Sequence, residues 1–475
     1  MARIVLISMY DRLTIGLGHL SSFLKSRGHE THVVYFKRYE VIKPGRLREY
    51  NRHEHHVMVL NSGSEIVLCY ARPPSRKEIA MLQDLVGGIG PDLVGLSFRT
   101  IAAGAAATIT EAISREPGVP VIQGGIHPTI EPEGSIETCD VVCLGEGEYP
   151  LAELADAVES GADRSSIRNL WVRCGGEVVR NPVRPLIQDL DALPFPDYLP
   201  EGKYLVDGEG IREGISIKDF NGVYEIMTSR GCPFSCDFCC NGQLREILSG
   251  SGGKYLRRRS PANVIGELVE AKERFEIKYV NFQDDVFTFG REWLAEFTGE
   301  YKKRIGIPFW CYHHPNYTDS ASLRLLKECG VEHMTMGIQS GSERVLKEVY
   351  NRHTSREKML AAARMLDELE IDYNIDIITN NPFEAEQDCV ETLELLLAMR
   401  APVRFNGGLS KLTTYPATKI AARMEEQGGR SLLEEGTFDF YNLLYLLCQT
   451  KLPRDWIRGF SKNAFLRRHP SLLRG

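Results

Sequence analysis

Short apolar runs alternate with helix-period amphipathic runs from the first residues to about residue 410, and this alternation limits the fold more than any other feature. Residues 3–8 read as a strand and 16–27 as a helix with Leu17, Leu20, Phe23 and Leu24 on one face. A strand at 31–36 and a helix at 77–86 follow. The strand at 92–97 ends in Ser97 and leads to a small-residue helix at 103–114. The strand at 119–123 ends at Gly124-Gly125. The strand at 140–144 ends at Gly145-Glu146-Gly147-Glu148, before a helix at 150–159. Strands separated by helices pair in parallel through crossovers, so residues 1–160 are expected to form a doubly wound, Rossmann-like α/β domain. Loops at the carboxyl ends of such strands hold ligands, and here they are rich in glycine. Residues 38–75 are polar and show no assignable period.

Residues 161–223 read as a linker, with a hairpin-like pair at 169–181 and a proline-stiffened stretch at 189–196. Alternation resumes at 224. Strands are expected at 225–229, 278–283, 308–312, 333–338, 373–378 and 404–409, with helices between them. Ser260 is a plausible cap for one of these helices, with Pro261 at its first position. Repeated βα units over 224–425 make a partial (β/α)6 TIM-like barrel, whose active residues lie at the strands' carboxyl ends. Residues 426–475 read as a small helical C-terminal extension. Its aromatic and leucine stripe at 438–447 is either core packing or a cap over the barrel mouth. Arg454, Arg458, Lys462, Arg467 and Arg468 make the end of the chain basic, which permits contact with an anionic substrate or surface. Arg257-Arg258-Arg259 is either an anion contact or a solvated turn.

The chemistry concentrates in Cys232-Pro-Phe-Ser-Cys236-Asp-Phe-Cys239, preceded by Gly231. Three thiolates at this spacing can face one side of a tight loop. Thiolates hold iron–sulfur cubes, which normally take four, so three leave one iron open to a non-protein ligand. Structural zinc favours paired C-x2-C units some distance apart, and no second unit is present. Cys240 is out of register and reads as a bystander. The chain has 475 residues, 12 cysteines and a net charge of -7. Without a long basic run, nucleic acid is not expected as a partner. Without a long apolar run or a signal-peptide pattern, no membrane span is expected and a cytoplasmic location is. The thiols are then reduced, and a disulfide framework is not expected.

These residues resemble the radical S-adenosylmethionine (SAM) superfamily, whose three-cysteine loop has this spacing and an aromatic, here Phe238, before the third cysteine. The resemblance implies a [4Fe-4S] cluster on Cys232, Cys236 and Cys239. Its open iron would chelate SAM and cleave it to a 5′-deoxyadenosyl radical. It also implies SAM contacts at successive strand ends. Gln283 and Asp284 would meet the amino group. Gly337-Ile-Gln339-Ser340-Gly341-Ser342-Glu343 resembles the family's Gly-Ile-Glu-Ser-Gly-Ser-Glu, bringing Gln339, Ser340 and Glu343 to the site, with Gln339 able to bond a ribose hydroxyl. Arg352 would pair with the SAM carboxylate. Asn380-Asn381-Pro382-Phe383-Glu384 stands in the Gly-x-Pro-x-Glu-Thr place with Ala385 for threonine, and Tyr415-Pro416-Ala417-Thr418 departs from Pro-Gly-Thr.

The first domain carries a second resemblance. Val121-Ile-Gln-Gly-Gly-Ile-His-Pro-Thr129 and Asp140-Val-Val-Cys-Leu-Gly-Glu-Gly-Glu148 are similar to the cobalamin-binding domain found ahead of many radical SAM domains. The cofactor's nucleotide tail would then pass Ser97, Gly124 and Gly125, with Gly145, Glu146 and Gly147 nearby. Relatives that ligate cobalt use Asp-x-His-x-x-Gly; this chain has Asp11-Arg-Leu13-Thr-Ile-Gly16. Leucine cannot donate to cobalt, so no histidine lower ligand is expected, and Leu13 would cover the lower face. His19 reads as a surface or packing residue.

The two resemblances together imply a cobalamin-dependent radical SAM enzyme, a C-methyltransferase acting on an unactivated carbon. One SAM would methylate cob(I)alamin, and a second would yield the radical that abstracts a substrate hydrogen. Its partners would be a small-molecule or lipid-like substrate and an external electron donor of flavodoxin or ferredoxin type. One alternative is an enzyme of the same architecture performing cyclisation, C–C coupling or dehydration, with or without cobalamin. Another is an iron–sulfur redox or sensor protein.

Overall fold

The computed structural model describes residues 1–10, 14–38, 72–114 and 118–469, with backbone alone for 40–42, 57–62 and 65–70. Asp11 and Leu13 lie outside the described residues. The chain divides into two compact units: residues 1–58, 68–231 and 243–278 form the first, and 59–67, 232–242 and 279–475 the second.

The first unit is built on a nine-stranded sheet. Its order is Glu177–Arg180, Leu170–Cys174, Val141–Cys143, Val121–Gly124, Leu93–Ser97, Arg3–Met9, Glu30–Phe36, Lys203–Asp207 and Gly210–Glu213. The strands from Val141–Cys143 to Lys203–Asp207 are parallel, and the outer ones are antiparallel. Helices Ile15–Ser26, Arg76–Ile89, Ala103–Ile113 and Glu148–Ser160 make the connections. A parallel strand covered on both faces reads as an unbroken apolar run, and Ile4, Val5, Leu6 and Ile7 are all buried. Ser75 accepts from the Glu78 N–H and Glu78 accepts from the Ser75 N–H, a reciprocal cap that starts the second helix. Strand order reverses between Arg3–Met9 and Leu93–Ser97, which opens a crevice at their carboxyl ends.

The stretch expected as a linker extends this sheet instead. The hairpin Leu170–Cys174/Glu177–Arg180 lengthens one edge, and Lys203–Asp207 with Gly210–Glu213 lengthens the other. The second hairpin carried too few alternating apolar residues to be read from its sequence.

The second unit holds Tyr279–Phe282, Phe309–His313, Val331–Gln339, Asp372–Thr379 and Ser410–Lys411, paired in parallel in that order. Counted along the chain with Val223–Ile226, these are the six strands expected of the partial barrel. Helices Arg291–Arg304, Ser320–Cys329, Arg356–Glu368 and Glu386–Ala398 alternate with them. The last strand is later and shorter than expected. Only Phe405 of the 404–409 run makes a bridge, to Ile375, because Gly407 and Gly408 turn the chain through positive φ.

The C-terminal aromatic stripe is core packing. Helix Glu435–Leu447 buries Phe438, Phe440, Tyr441, Leu444 and Tyr445. Tyr445 donates to the Cys389 carbonyl and Tyr441 to Glu386, each at 2.9 Å. The basic end is engaged internally as well, with Arg458 paired to Glu394 at 2.9 Å and Arg467 to Glu386 at 2.5 Å. Among the described residues, no helix is long and apolar enough to cross a membrane.

Candidate functional site

The crevice of the first unit contains a cavity of about 290 Å3. Leu6, Leu17, Leu20, Ile122 and Leu151 supply apolar walls, and Ser97, Gly124, Gly125, Gly145, Glu146 and Gly147 all line it. The six residues expected along the cobalamin tail therefore surround one space. The glycines are required at two of these places. Gly125 has φ +96°, and an added Cβ would meet the Phe98 backbone and Ser97 Oγ at 3.0 Å. Gly145 has φ +78°, and its Cβ would press on Leu248 at 2.8 Å. Thr129 ties the two turns together: its hydroxyl donates to the Gly125 carbonyl at 2.7 Å and accepts from the Gly145 N–H at 3.0 Å. A narrow apolar slot edged by bare backbone fits the tail of a corrinoid, where side chains would obstruct it.

One end of the cavity is charged, which the sequence reading missed. Arg230 bridges Glu146 at 2.9 Å and Glu148 at 2.5 Å, and Arg257 reaches Glu146 at 2.8 Å. The other Glu146 oxygen accepts from the Ile187 N–H at 2.7 Å. Burial alone would push the Glu148 carboxyl up, but Arg230 outweighs it and holds the group below its ordinary value. Glu146 is thus occupied by protein partners. Two arginines of the run turn inward to the protein's own carboxylates, Arg257 to Glu146 and Arg259 to buried Glu267 at 2.5 Å. His19 lines the cavity rather than the surface, its Nδ1 lying 3.3 Å from the Pro194 carbonyl. Burial, reinforced by Arg230, drives its pKa down to about 4.

In the second unit, the cysteine loop is pinned by two main-chain bonds and one from a side-chain amide. The Asp237 N–H donates to the Tyr350 carbonyl at 2.9 Å, the Cys239 N–H to Cys236 O at 3.1 Å, and Asn351 Nδ2 to Ser235 O at 3.1 Å. Phe238 stands edge-on to Tyr350, with ring centroids 4.9 Å apart, so the aromatic before the third cysteine locks the loop. Burial pushes the Cys232 thiol up to about 12. It pushes Cys236 up as well, with Arg352 opposing. A hydrogen bond between Cys239 and Cys240 raises the first and lowers the second. Buried thiols with raised pKa values release protons when they bind a metal.

Arg352 is buried beside this loop. Its Nη2 donates to the Gly337 carbonyl at 2.5 Å, its Nη1 lies 3.8 Å from Cys236 Sγ, and its Nε has no partner. Among the described residues no carboxylate pairs with it within 4 Å, though the Asp376 charge bears on it, so a buried cation stands beside Cys236 only partly compensated. An anionic cluster or a bound carboxylate fits that deficit. A widened helical turn at Val345–Val349 leads to Arg352, a feature that often marks functional places. Gln339 joins it: φ is +72° at a register shift in the strand, and a Cβ on Gly337 would meet Gln339 Nε2 at 3.1 Å and Arg352 Nη2 at 3.3 Å.

The remaining expected SAM residues have different settings. Asp284 is fully buried at the end of Tyr279–Phe282, with Gln283 partly exposed beside it. Ser340 is buried, and its hydroxyl accepts from the Ser342 N–H at 3.2 Å, so it shapes the turn. Glu343 is exposed and accepts from the Arg356 N–H at 3.1 Å, supporting the first turn of helix Arg356–Glu368.

Three further residues were passed over. His313 ends the strand Phe309–His313 and His314 follows it, and strand-end position was the signal that could have found them. The third is Asp376, in the strand after Arg356–Glu368, where burial raises its pKa to about 6; Glu384, in the segment already singled out, is raised by burial to about 8.

Comparison with known proteins adds independent findings. Residues 226–396 match the Radical SAM superfamily, and residues 61–155 match the B12 binding domain. An uncharacterized methyltransferase of Pyrococcus horikoshii is 30% identical over 337 residues, covering 70% of this chain and 68% of the relative. An anaerobic magnesium-protoporphyrin IX monomethyl ester cyclase of Rubrivivax gelatinosus is 26% identical over 376 residues, covering 76% of this chain and 63% of the cyclase. The radical S-adenosylmethionine methyltransferase TsrM from Kitasatospora setae superposes with a TM-score of 0.65 at 19% identity, covering 90% of this chain and 76% of that one. At that identity the superposition speaks for the fold alone.

Proposed function

The chain belongs to the B12-binding radical SAM superfamily, and on that premise we propose that it is a cobalamin-dependent methyltransferase that methylates an unactivated carbon. The observation that carries this reading is a glycine-edged apolar slot and a buried arginine beside Cys236 of the three-cysteine loop, both in one chain. When bound, the cluster, SAM and cobalamin supply the electron, the radical and the methyl group.

The chain's own residues bind, orient and shield. Cys232, Cys236 and Cys239 hold the cluster, and the missing fourth thiolate leaves one iron for SAM. Arg352 offsets the negative charge of the thiolates and offers its remaining N–H to a carboxylate. Asp284 and Gln283 accept from an ammonium, and Gln339 hydrogen-bonds a ribose hydroxyl. Ser340 and Glu343 act through the turn they stabilise. In the slot, Ser97 supplies a hydroxyl to a nucleotide tail, and Gly124, Gly125, Gly145 and Gly147 let it lie against the backbone. Glu146 keeps two arginines in place at the slot's polar end.

The methyltransferase relative favours methylation, whereas the cyclase relative favours a radical reaction without methyl transfer. Anaerobic reconstitution with iron, sulfide and hydroxocobalamin, followed by incubation with SAM, reductant and candidate substrates, tests the choice. S-adenosylhomocysteine and 5′-deoxyadenosine forming in step with a methylated product is the expected result. 5′-Deoxyadenosine without S-adenosylhomocysteine would establish the non-methylating reading. Neither compound, from protein that holds its cluster, would leave a redox or sensor protein.

A further inference from the structure

His314 follows the strand Phe309–His313 and is only 3% exposed. Its ring lies flat on Phe234, with centroids 3.9 Å apart and planes 19° apart. Phe234 itself stands midway between Cys232 and Cys236, so the imidazole packs directly on the cysteine loop. Its Nδ1 accepts from the Asn316 backbone N–H at 3.1 Å, capping the turn Pro315–Tyr317. That bond decides the tautomer. With Nδ1 as acceptor, the neutral ring carries its proton on Nε2.

This Nε2–H is buried and has no hydrogen-bond partner in the protein. A buried donor left unmade is destabilising, and most such groups in native proteins have partners. The fold does not need the group: the stack uses the ring face, and the cap uses Nδ1. Phenylalanine or leucine would fill the space without stranding a donor. Arg352 presents a second unpartnered buried N–H, at Nε, and its charge bears on the His314 ring. Two spare donors around one loop of thiols call for an acceptor from outside the protein.

We infer that His314 Nε2–H donates to an anionic acceptor held at the cysteine loop, either a sulfur of the bound cluster or the carboxylate of SAM. The inference rests on the radical SAM reading above and adds a contact from the end of Phe309–His313. It assigns the histidine to binding and orientation, with no proton transferred.

The test compares reconstituted wild type with His314→Phe, which keeps the stack and removes the donor. Three readouts are needed: iron content, SAM affinity, and the reduction potential and EPR spectrum of the SAM-free cluster. A carboxylate acceptor predicts SAM binding about tenfold weaker at an unchanged potential, the size of one charge-assisted hydrogen bond. A cluster-sulfur acceptor predicts a lower potential before SAM is added, because hydrogen bonds to the sulfurs raise it. Unchanged affinity and potential in a fully loaded variant would overturn the inference. If His314→Phe does not hold its cluster, the comparison passes to His314→Gln, which restores an N–H donor, against His314→Leu, which does not. Gln binding SAM tightly where Leu does not supports the donor role, and equal affinities reject it. A wild-type protein that holds no cluster would reject the functional reading itself.

Discussion

The Arg352 guanidinium stands 3.8 Å from the Cys236 sulfur while donating to the Gly337 carbonyl at 2.5 Å. One buried cation thus joins the cysteine loop to the strand Val331–Gln339. Arg352→Lys keeps the charge but not the two-point geometry. Both Arg352→Lys and Arg352→Met should weaken SAM binding at least tenfold, about 1.4 kcal/mol, with the lysine variant holding its iron and the methionine variant losing part of it. Equilibrium dialysis with SAM and iron analysis would check this.

Cys240 shares a hydrogen bond with Cys239 but is out of register with the other two thiols. Cys236→Ala should abolish the broad visible absorption of the reconstituted protein. Cys240→Ala should leave it intact, with about four irons per chain. Loss of iron in Cys240→Ala would make that thiol a ligand.

The slot glycines differ in what they tolerate. Gly125 sits at φ +96° with backbone 3.0 Å from any Cβ, whereas a Cβ on Gly124 would make only a 3.6 Å contact with Cys143. Gly125→Val should therefore lose corrinoid retention and about 1–3 kcal/mol of stability from backbone strain. Gly124→Ala should keep both. Spectra of desalted protein and urea midpoints separate the two.

Glu146 lies in the slot wall, but its oxygens serve Arg230, Arg257 and the Ile187 N–H. Glu146→Ala strands the buried Arg257 and leaves Arg230 to Glu148 alone, and should destabilise the protein by about 3–5 kcal/mol. Double substitution with Arg257→Met should recover part of that loss. A Glu146→Ala variant of wild-type stability that binds no corrinoid would instead make the carboxylate a direct contact.

His313 is buried between Thr288 and Thr318, and burial lowers its pKa from 6.5 to about 4. The unfolded chain binds this proton first, so the stability is fully present above pH 6.5 and falls as pH drops toward 4. The full window is worth about 3 kcal/mol. His313→Gln should flatten the slope of the urea midpoint between pH 4 and 6.5 and leave it unchanged at pH 8.

The parallel strands, the strand-end glycines and the cysteine loop were legible because each follows from a local rule: unbroken apolar runs, residues that permit positive φ, and thiol spacing. The Ser260 cap was legible for the same reason, its hydroxyl accepting from the Asn263 N–H at 3.1 Å. What escaped was set by partners far along the chain. Glu146 reads as a loop residue until Arg257, more than a hundred positions later, takes its oxygen. His314 reads as one of two adjacent histidines until its ring is found against Phe234. Gly210–Glu213 joined the sheet on the strength of a neighbouring strand, not of its own pattern.

That last hairpin and its counterpart at Glu177–Arg180 also bear on how the protein can be divided. Both outermost strands carry charge, Arg212 and Glu213 on one and Glu177 and Arg180 on the other, which discourages further strands from adding. A fragment cut at residue 160 would strip off both hairpins. Val141–Cys143 and the apolar Glu30–Phe36 would become raw edges, and the fragment should aggregate through them. The shortest soluble piece bearing the slot would therefore have to run past Glu213.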